Sequence, residues 1–306
     1  MWIKGMELRH LRYYVALVEE KHFGKAAERL HIVQPALTKQ IQALEELIGT
    51  TLLIRNSRRL SLTKAGELFY HEAIKTLRQA DSAVELAQRA GKGLIGVIRI
   101  GYVGNAALSG MLSHYLFQYR LHYPDVEVYL EEMSPWEICE AILNEELDIS
   151  FATDFNNNLS EHLVAQKLMS WHWVVGMRKD HPLAANKYIS REQLKDQAFV
   201  VYSDERNDSV QISILQRLLG ATPVISHQAK NTIATLTLTA AGYGLALLPC
   251  TLVNIKIAGM TYREIIDFPD RMTMELFYRK NESNPVVNSF LRIASDMDVS
   301  FLNENS

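Results

Sequence analysis

Apolar positions recur at three- and four-residue steps over roughly the first 90 residues, then change to strand-like runs separated by helical stretches. Over residues 6–20, Leu8, Leu11, Val15 and Val18 predict a first helix. Two more helices joined by a tight turn are predicted over 23–46, FGKAAERLHIVQPALTKQIQALEE. In the second of these, Leu37, Ile41, Leu44 and Ile48 form one stripe toward a core, while Gln34, Thr38, Lys39 and Gln42 point the other way. Pro35 stands where that helix begins, a position with no backbone donor to lose. Ala26 and Ala27 on the preceding helix are small enough for a close crossing. This is the pattern of a helix-turn-helix, which places its second helix in the major groove of DNA and in other settings serves as plain structure.

The segment that follows favours DNA. Residues 52–63, LLIRNSRRLSLT, read as a short hairpin whose Asn-Ser turn is flanked by Arg55, Arg58 and Arg59. A strand pair tipped with arginine is a wing, suited to phosphates and the narrow minor groove. Gln34, Thr38 and Lys39 are then candidate readers of base edges. His22, at the turn into the second helix, either caps that helix or touches a phosphate.

Thr63 can cap a long helix running to about residue 90. Tyr70, Ala73, Leu77, Ala80, Val84 and Ala87 fall on alternating steps of three and four, a heptad seam that predicts a coiled-coil partner. At 1.5 Å per residue such a helix is about 40 Å long, enough to hold two winged heads roughly one DNA turn apart.

Gly91, Gly93 and Gly96 punctuate a boundary, after which strands and helices alternate. GVIRIGYV, VEVYLEEM and LDISFAT, with helices near 108–122 and 136–145, read as a parallel α/β sheet. WHWVVGMR, AFVVYSD, PVISHQ and LALLP, with helices near 209–219 and 232–241, form a second set. Two lobes imply a cleft. Ligands of open α/β sheets bind beyond the carboxyl ends of the strands, here 104–106, 133–136, 153–155 and 202–208.

Charge divides along the chain. Residues 1–92 carry 15 Lys and Arg against 10 Asp and Glu, whereas the remaining 214 carry 17 against 25, so a basic head precedes an acidic body. The two cysteines, Cys139 and Cys250, form no metal-binding pattern and read as separate thiols in a reducing cytosol. No apolar run suggests a secretion signal or a membrane span, so a cytoplasmic protein is expected, with no membrane partner; the first five residues read as an upstream start or a remnant. The chain lacks GxSxG, HExxH, GxGxxG after a strand, and a GKS or GKT loop, which argues against an enzyme and leaves no catalytic residue, metal or cofactor to assign. A solute-binding protein would share the two lobes but not the winged head.

The head sequence, 6–66, and TLTLTAAGYGLALLP, 235–249, together resemble the LysR-type transcriptional regulators of bacteria over nearly the whole chain. The resemblance implies a winged helix-turn-helix (6–63), a dimerising linker helix (64–92) and a two-lobed α/β effector domain similar to periplasmic binding proteins (93–306). The first lobe would hold 93–165 and 268–306, and the second 166–267. It implies a ligand-responsive regulator, most often an activator, that binds double-stranded promoter DNA as a homodimer through the linker and as a homotetramer, with RNA polymerase as a possible further contact. The family's DNA contacts map onto Gln34, Pro35, Ala36, Thr38, Lys39 and Arg58, and Val33 departs from the Ser or Thr that caps this helix in many members.

IRIGYVGNAALSG, 98–110, is similar to the subgroup that senses aromatic-degradation intermediates. There, ligand carboxylates are held by hydroxyls at the positions of Asn105 and Pro135 and by an arginine at the position of Asp154. Asn105 can still donate, Pro135 cannot, and Asp154 inverts the charge. Two unit charges about 4 Å apart interact by roughly 4 kcal/mol at an effective dielectric of 20, so the inversion outweighs any single neutral hydrogen bond. The expected effector is therefore an organic cation such as an amine or diamine. Gly104, Asn105, Ser134, Trp136, Asp154, Tyr202, Asp204 and Asp208 are its candidate contacts, with Glu205 an alternative to its two neighbours and Trp136 offering an aromatic face. The competing reading makes Asp154 a turn cap and the ligand an aromatic acid or another anion.

Overall fold

The computed structural model describes residues 5–56, 59–153, 159–203 and 210–297, in two compact units, 1–89 and 90–306. The first unit packs α1 (Leu8–Glu20), α2 (Phe23–Arg29) and α3 (Gln34–Ile48) around Tyr14, Leu17, Ala26, Ala27, Leu37, Ile41 and Leu44, and Leu52 and Leu53 close the core from the wing. The stripe of α3 is the expected one. In α1 it is displaced: Leu8 is exposed, and His10, Leu11, Tyr14 and Leu17 carry the buried face. Ala26 and Ala27 are buried where α2 crosses its neighbours.

Strands β1 (Leu53–Asn56) and β2 (Arg59–Leu62) pair antiparallel, Asn56 opposite Arg59, and form the wing. The long helix α4 (Lys64–Gly91) follows, with Thr63 Oγ1 accepting from Gly66 N–H at 3.0 Å. Gly66 is needed there for close approach. A Cβ on it would lie 2.1 Å from the carbonyl oxygen of Leu52, and Tyr14 donates its hydroxyl hydrogen to the Gly66 carbonyl at 3.0 Å.

In the second unit, β3 (Gly96–Tyr102), β4 (Val126–Glu132) and β5 (Ile149–Thr153) run parallel, flanked by α5 (Gly104–Leu108), α6 (Met111–His122) and α7 (Pro135–Leu143). The sheet is mixed rather than wholly parallel, because two antiparallel strands complete it. The 16-residue strand β6 (Leu163–Arg178) pairs with β12 (Arg271–Arg279) through His172, and β12 pairs in turn with β5.

From Trp173 onward β6 belongs to the second lobe, pairing with β10 (Ala246–Pro249) and β11 (Met260–Ile265). One strand thus runs through both lobes. Around it lie β7 (Tyr188–Ile189), α8 (Arg191–Leu194), β8 (Ala198–Tyr202), α9 (Val210–Leu219), β9 (Val224–Ala229) and α10 (Thr232–Ala240). Helix α11 (Pro285–Asp296) returns to the first lobe, where Phe290 meets Tyr115, Tyr119 and Phe151. No helix is long and apolar enough to cross a membrane among the described residues.

Candidate functional site

Two surfaces carry the chemistry. On the first unit, Gln34, Pro35, Ala36 and Lys39 are exposed at the start of α3, and Thr38 is half-buried, its hydroxyl donating to the Gln34 carbonyl at 3.1 Å. Val33 occupies the cap position without a side-chain bond; Pro35 brings no N–H, and Ala36 N–H donates to the Val33 carbonyl at 3.0 Å. His22 caps α2: its Nδ1 accepts from Gly24 N–H at 3.0 Å and Lys25 N–H at 3.3 Å. An accepting Nδ1 puts the ring proton on Nε2, so the cap leaves that edge of the imidazole able to donate outward.

The wing is fixed to α3 by Glu45, whose Oε1 accepts from the backbone N–H groups of Leu52 at 2.7 Å and Leu53 at 3.1 Å. Burial, and then the Glu45 carboxylate, push the Tyr14 phenol well above its ordinary range. Arg55 and Arg59 lie on the two wing strands, but their side chains, and Arg58 altogether, are outside the described residues. On α4, Tyr70 is drawn into its own head, packing on the core and donating to Glu19 at 3.4 Å, and Ala73 is buried. Val84, 58% exposed, and Ala87 further along the seam stand open.

In the second unit a cleft of about 760 Å³ lies between the lobes. Four ends expected from the sequence line it: Gly104 and Asn105, Met133 to Trp136, Thr153, and Tyr202. Asp154, Asp204, Glu205 and Asp208 lie outside the described residues. Thr232 donates its hydroxyl hydrogen to Asn105 Oδ1 at 3.3 Å, joining the lobes, and Asn105 Nδ2 reaches Met272 Sδ at 3.8 Å. Ser134 and Glu137 form a capping box at the start of α7, with the Ser134 hydroxyl donating to Glu137 Oε2 at 2.8 Å. Gln211 locks the far wall, accepting from Tyr202 N–H and donating to the Leu247 carbonyl, both at 2.6 Å.

Sequence reasoning missed Glu132, Trp173, Arg217, Lys230 and Arg271, all of which line the cleft. The strand-end rule reaches Lys230 once it is extended to β9, whose end leads directly into α10. Arg217 is held by Asp270, Nε to Oδ2 at 2.8 Å. The Glu132 carboxylate has no hydrogen-bond or ion-pair partner among the described residues, and its Oε1 would stand 3.0 Å from a Cβ placed on Gly104. Neither Cys139 nor Cys250 forms a disulfide among the described residues, and burial pushes the Cys139 thiol up. The described residues hold no cluster of metal-ligating side chains.

Comparison with known proteins agrees with this arrangement. Residues 8–67 match the pattern described as a bacterial regulatory helix-turn-helix protein of the lysR family, and residues 91–298 the LysR substrate binding domain. The HTH-type transcriptional regulator AlsR of Bacillus subtilis is 33% identical over 95% of this chain and 96% of its own. The regulator BenM of Acinetobacter baylyi is 34% identical over 88% of both. The crystal structure of full-length CbnR with its target DNA superposes with a TM-score of 0.82 at 23% identity, covering 95% of this chain and 99% of that one.

Proposed function

Because the chain belongs to the LysR family of bacterial transcriptional regulators and is a regulator rather than an enzyme, we propose that it activates transcription from promoter DNA in response to an amine-bearing effector held between its lobes. The single observation that carries DNA reading is the exposure of Gln34 and Lys39, with Thr38 beside them, on the side of α3 opposite buried Leu37, Ile41 and Leu44. Amides and hydroxyls at that helix end pair with base edges, Lys39 and the wing arginines Arg55, Arg58 and Arg59 hold phosphates, and His22 offers a further donor. The exposed Val84 and Ala87 support pairing of two α4 helices, and a dimer of such dimers completes the assembly. Footprinting of the region upstream of its own coding sequence tests this reading. An interrupted palindrome should be protected, and uniform cleavage overturns it.

For the effector, the amine reading is supported by unpaired Glu132 on the cleft wall and by Trp136, 40% exposed, as an aromatic face. Gly104, Asn105, Ser134 and Tyr202 supply the polar contacts around them, with Asp154, Asp204 and Asp208 as further counter-charges. An anionic effector is favoured by a different observation, the presence of Arg217, Lys230 and Arg271 in the same lining. Thermal unfolding of the full chain with amines and aromatic acids side by side separates the two, since only a binder raises the midpoint. A response confined to acids overturns the amine reading.

A further inference from the structure

The cleft carries charge of both signs. Glu132, Glu137 and, at the start of β12, Arg271 come from the first lobe, and Arg217 and Lys230 from the second. Several of these are already engaged: Glu137 in the capping box and Arg217 with Asp270, while Lys230 also has interactions. Two remain. The side chains of Glu132 and Arg271 make no hydrogen bond or ion pair among the described residues.

A third group is unsatisfied, and it is buried. Trp173 lines the cleft where β6 passes from one lobe to the other, is 6% exposed, and its indole Nε1–H has no acceptor. Its neighbour Trp171 has one, the Met169 sulfur at 3.0 Å, so the difference is local to the cleft. A buried donor left unpaired costs free energy that a ligand acceptor recovers on binding.

We propose that the effector is a zwitterion of the amino-acid type. Its ammonium sits against Glu132 beside Gly104, and its carboxylate pairs with Arg271, the indole of Trp173 turning its buried Nε1–H toward that carboxylate on binding. This rests on the amine reading above and adds the second pole. A diamine would bring its second charge toward Arg217, Lys230 and Arg271, and a dicarboxylate would bring one of its charges toward Glu132. Only a molecule with one charge of each sign leaves neither pole opposed.

The test is calorimetry on the full chain with the proteinogenic amino acids, followed by the decarboxylated and deaminated analogues of whichever binds; for phenylalanine these are 2-phenylethylamine and 3-phenylpropionate. At least one amino acid is expected to bind. Its two analogues, and the amino acid itself on Glu132→Gln, should each be weaker by about tenfold or more. Glu132 is exposed, so this variant keeps the fold, and Trp173→Phe, checked by its thermal unfolding, probes the other pole. An amine analogue that binds as tightly as its amino acid, unaffected by Trp173→Phe, overturns the second pole and leaves the amine reading standing. An acid analogue that alone binds, indifferent to Glu132→Gln, overturns both. Silence from every amino acid overturns the zwitterion.

Discussion

Thr232 donates its hydroxyl hydrogen to Asn105 Oδ1 at 3.3 Å, and this contact ties the first turn of α10 in one lobe to α5 in the other. Both residues line the cleft, so a ligand that bonds either one competes with or reinforces the tie. A single neutral hydrogen bond of this kind contributes about 1 kcal/mol, enough to shift a lobe equilibrium severalfold and too little to lock it.

Gly104 stands at the centre of that contact. A Cβ there would lie 2.9 Å from Thr232 Oγ1 and 3.0 Å from Glu132 Oε1, so Gly104→Ala displaces the tie and the free carboxylate together. Both atoms belong to side chains that can move, so the loss of stability should stay within about 1–2 kcal/mol while the effector response falls sharply. Denaturant unfolding and effector titration of the same variant check the two halves.

Glu45 bears on DNA without pointing at it. Its carboxylate accepts two backbone donors of the wing, and Glu45→Ala leaves both to water or unpaired, at about 2–3 kcal/mol. Promoter affinity should drop although α3 is unchanged. Unfolding and fluorescence anisotropy measured on one preparation separate loss of the wing from loss of the head.

Charge and amide contacts on α3 should fail in different ways. Lys39→Gln is expected to weaken every duplex alike and reduce the slope of log K against log salt by about 1. Gln34→Ala should instead relax discrimination by roughly 1–3 kcal/mol at one base pair and leave the slope alone. Salt titrations against specific and scrambled duplexes read both.

Alkaline unfolding follows from the buried phenols. Burial pushes Tyr115 up to about 12, and raises Tyr119 and Tyr262 as well, from an ordinary value of 10.0. The folded pKa exceeds the unfolded one, so stability is fully present below about pH 10 and is lost as pH rises toward the folded value of about 12. Each such group contributes up to about 1.4 kcal/mol per pH unit in that window. Urea midpoints between pH 8 and 11 should be flat and then fall.

The head and the helix boundaries were legible because their signals are local. The 3.6-residue stripe of Leu37, Ile41 and Leu44, the cap at Thr63 and the strand-to-helix alternation of the body each lie within a few residues of one another. The face of α1 was misjudged because Leu8, at the helix start, meets solvent while Tyr14 fills the core. The resemblance placed 268–306 in the first lobe, but the position of β12 between β5 and β6 was not legible, since that pairing joins residues 99 or more positions apart. Glu132 and Trp173 escaped for related reasons. Glu132 reads as one of several acids on an edge strand, and Trp173 as an ordinary core aromatic whose lost acceptor appears only once the strands are placed.

Sedimentation of the full chain with a labelled fragment from its own upstream region, against a scrambled duplex at the same moderate salt, puts the central claim to the most direct trial. Paired heads on α4 predict that two or four chains migrate with the upstream fragment and that the scrambled duplex is left largely free. A monomer that treats both duplexes alike would contradict the account.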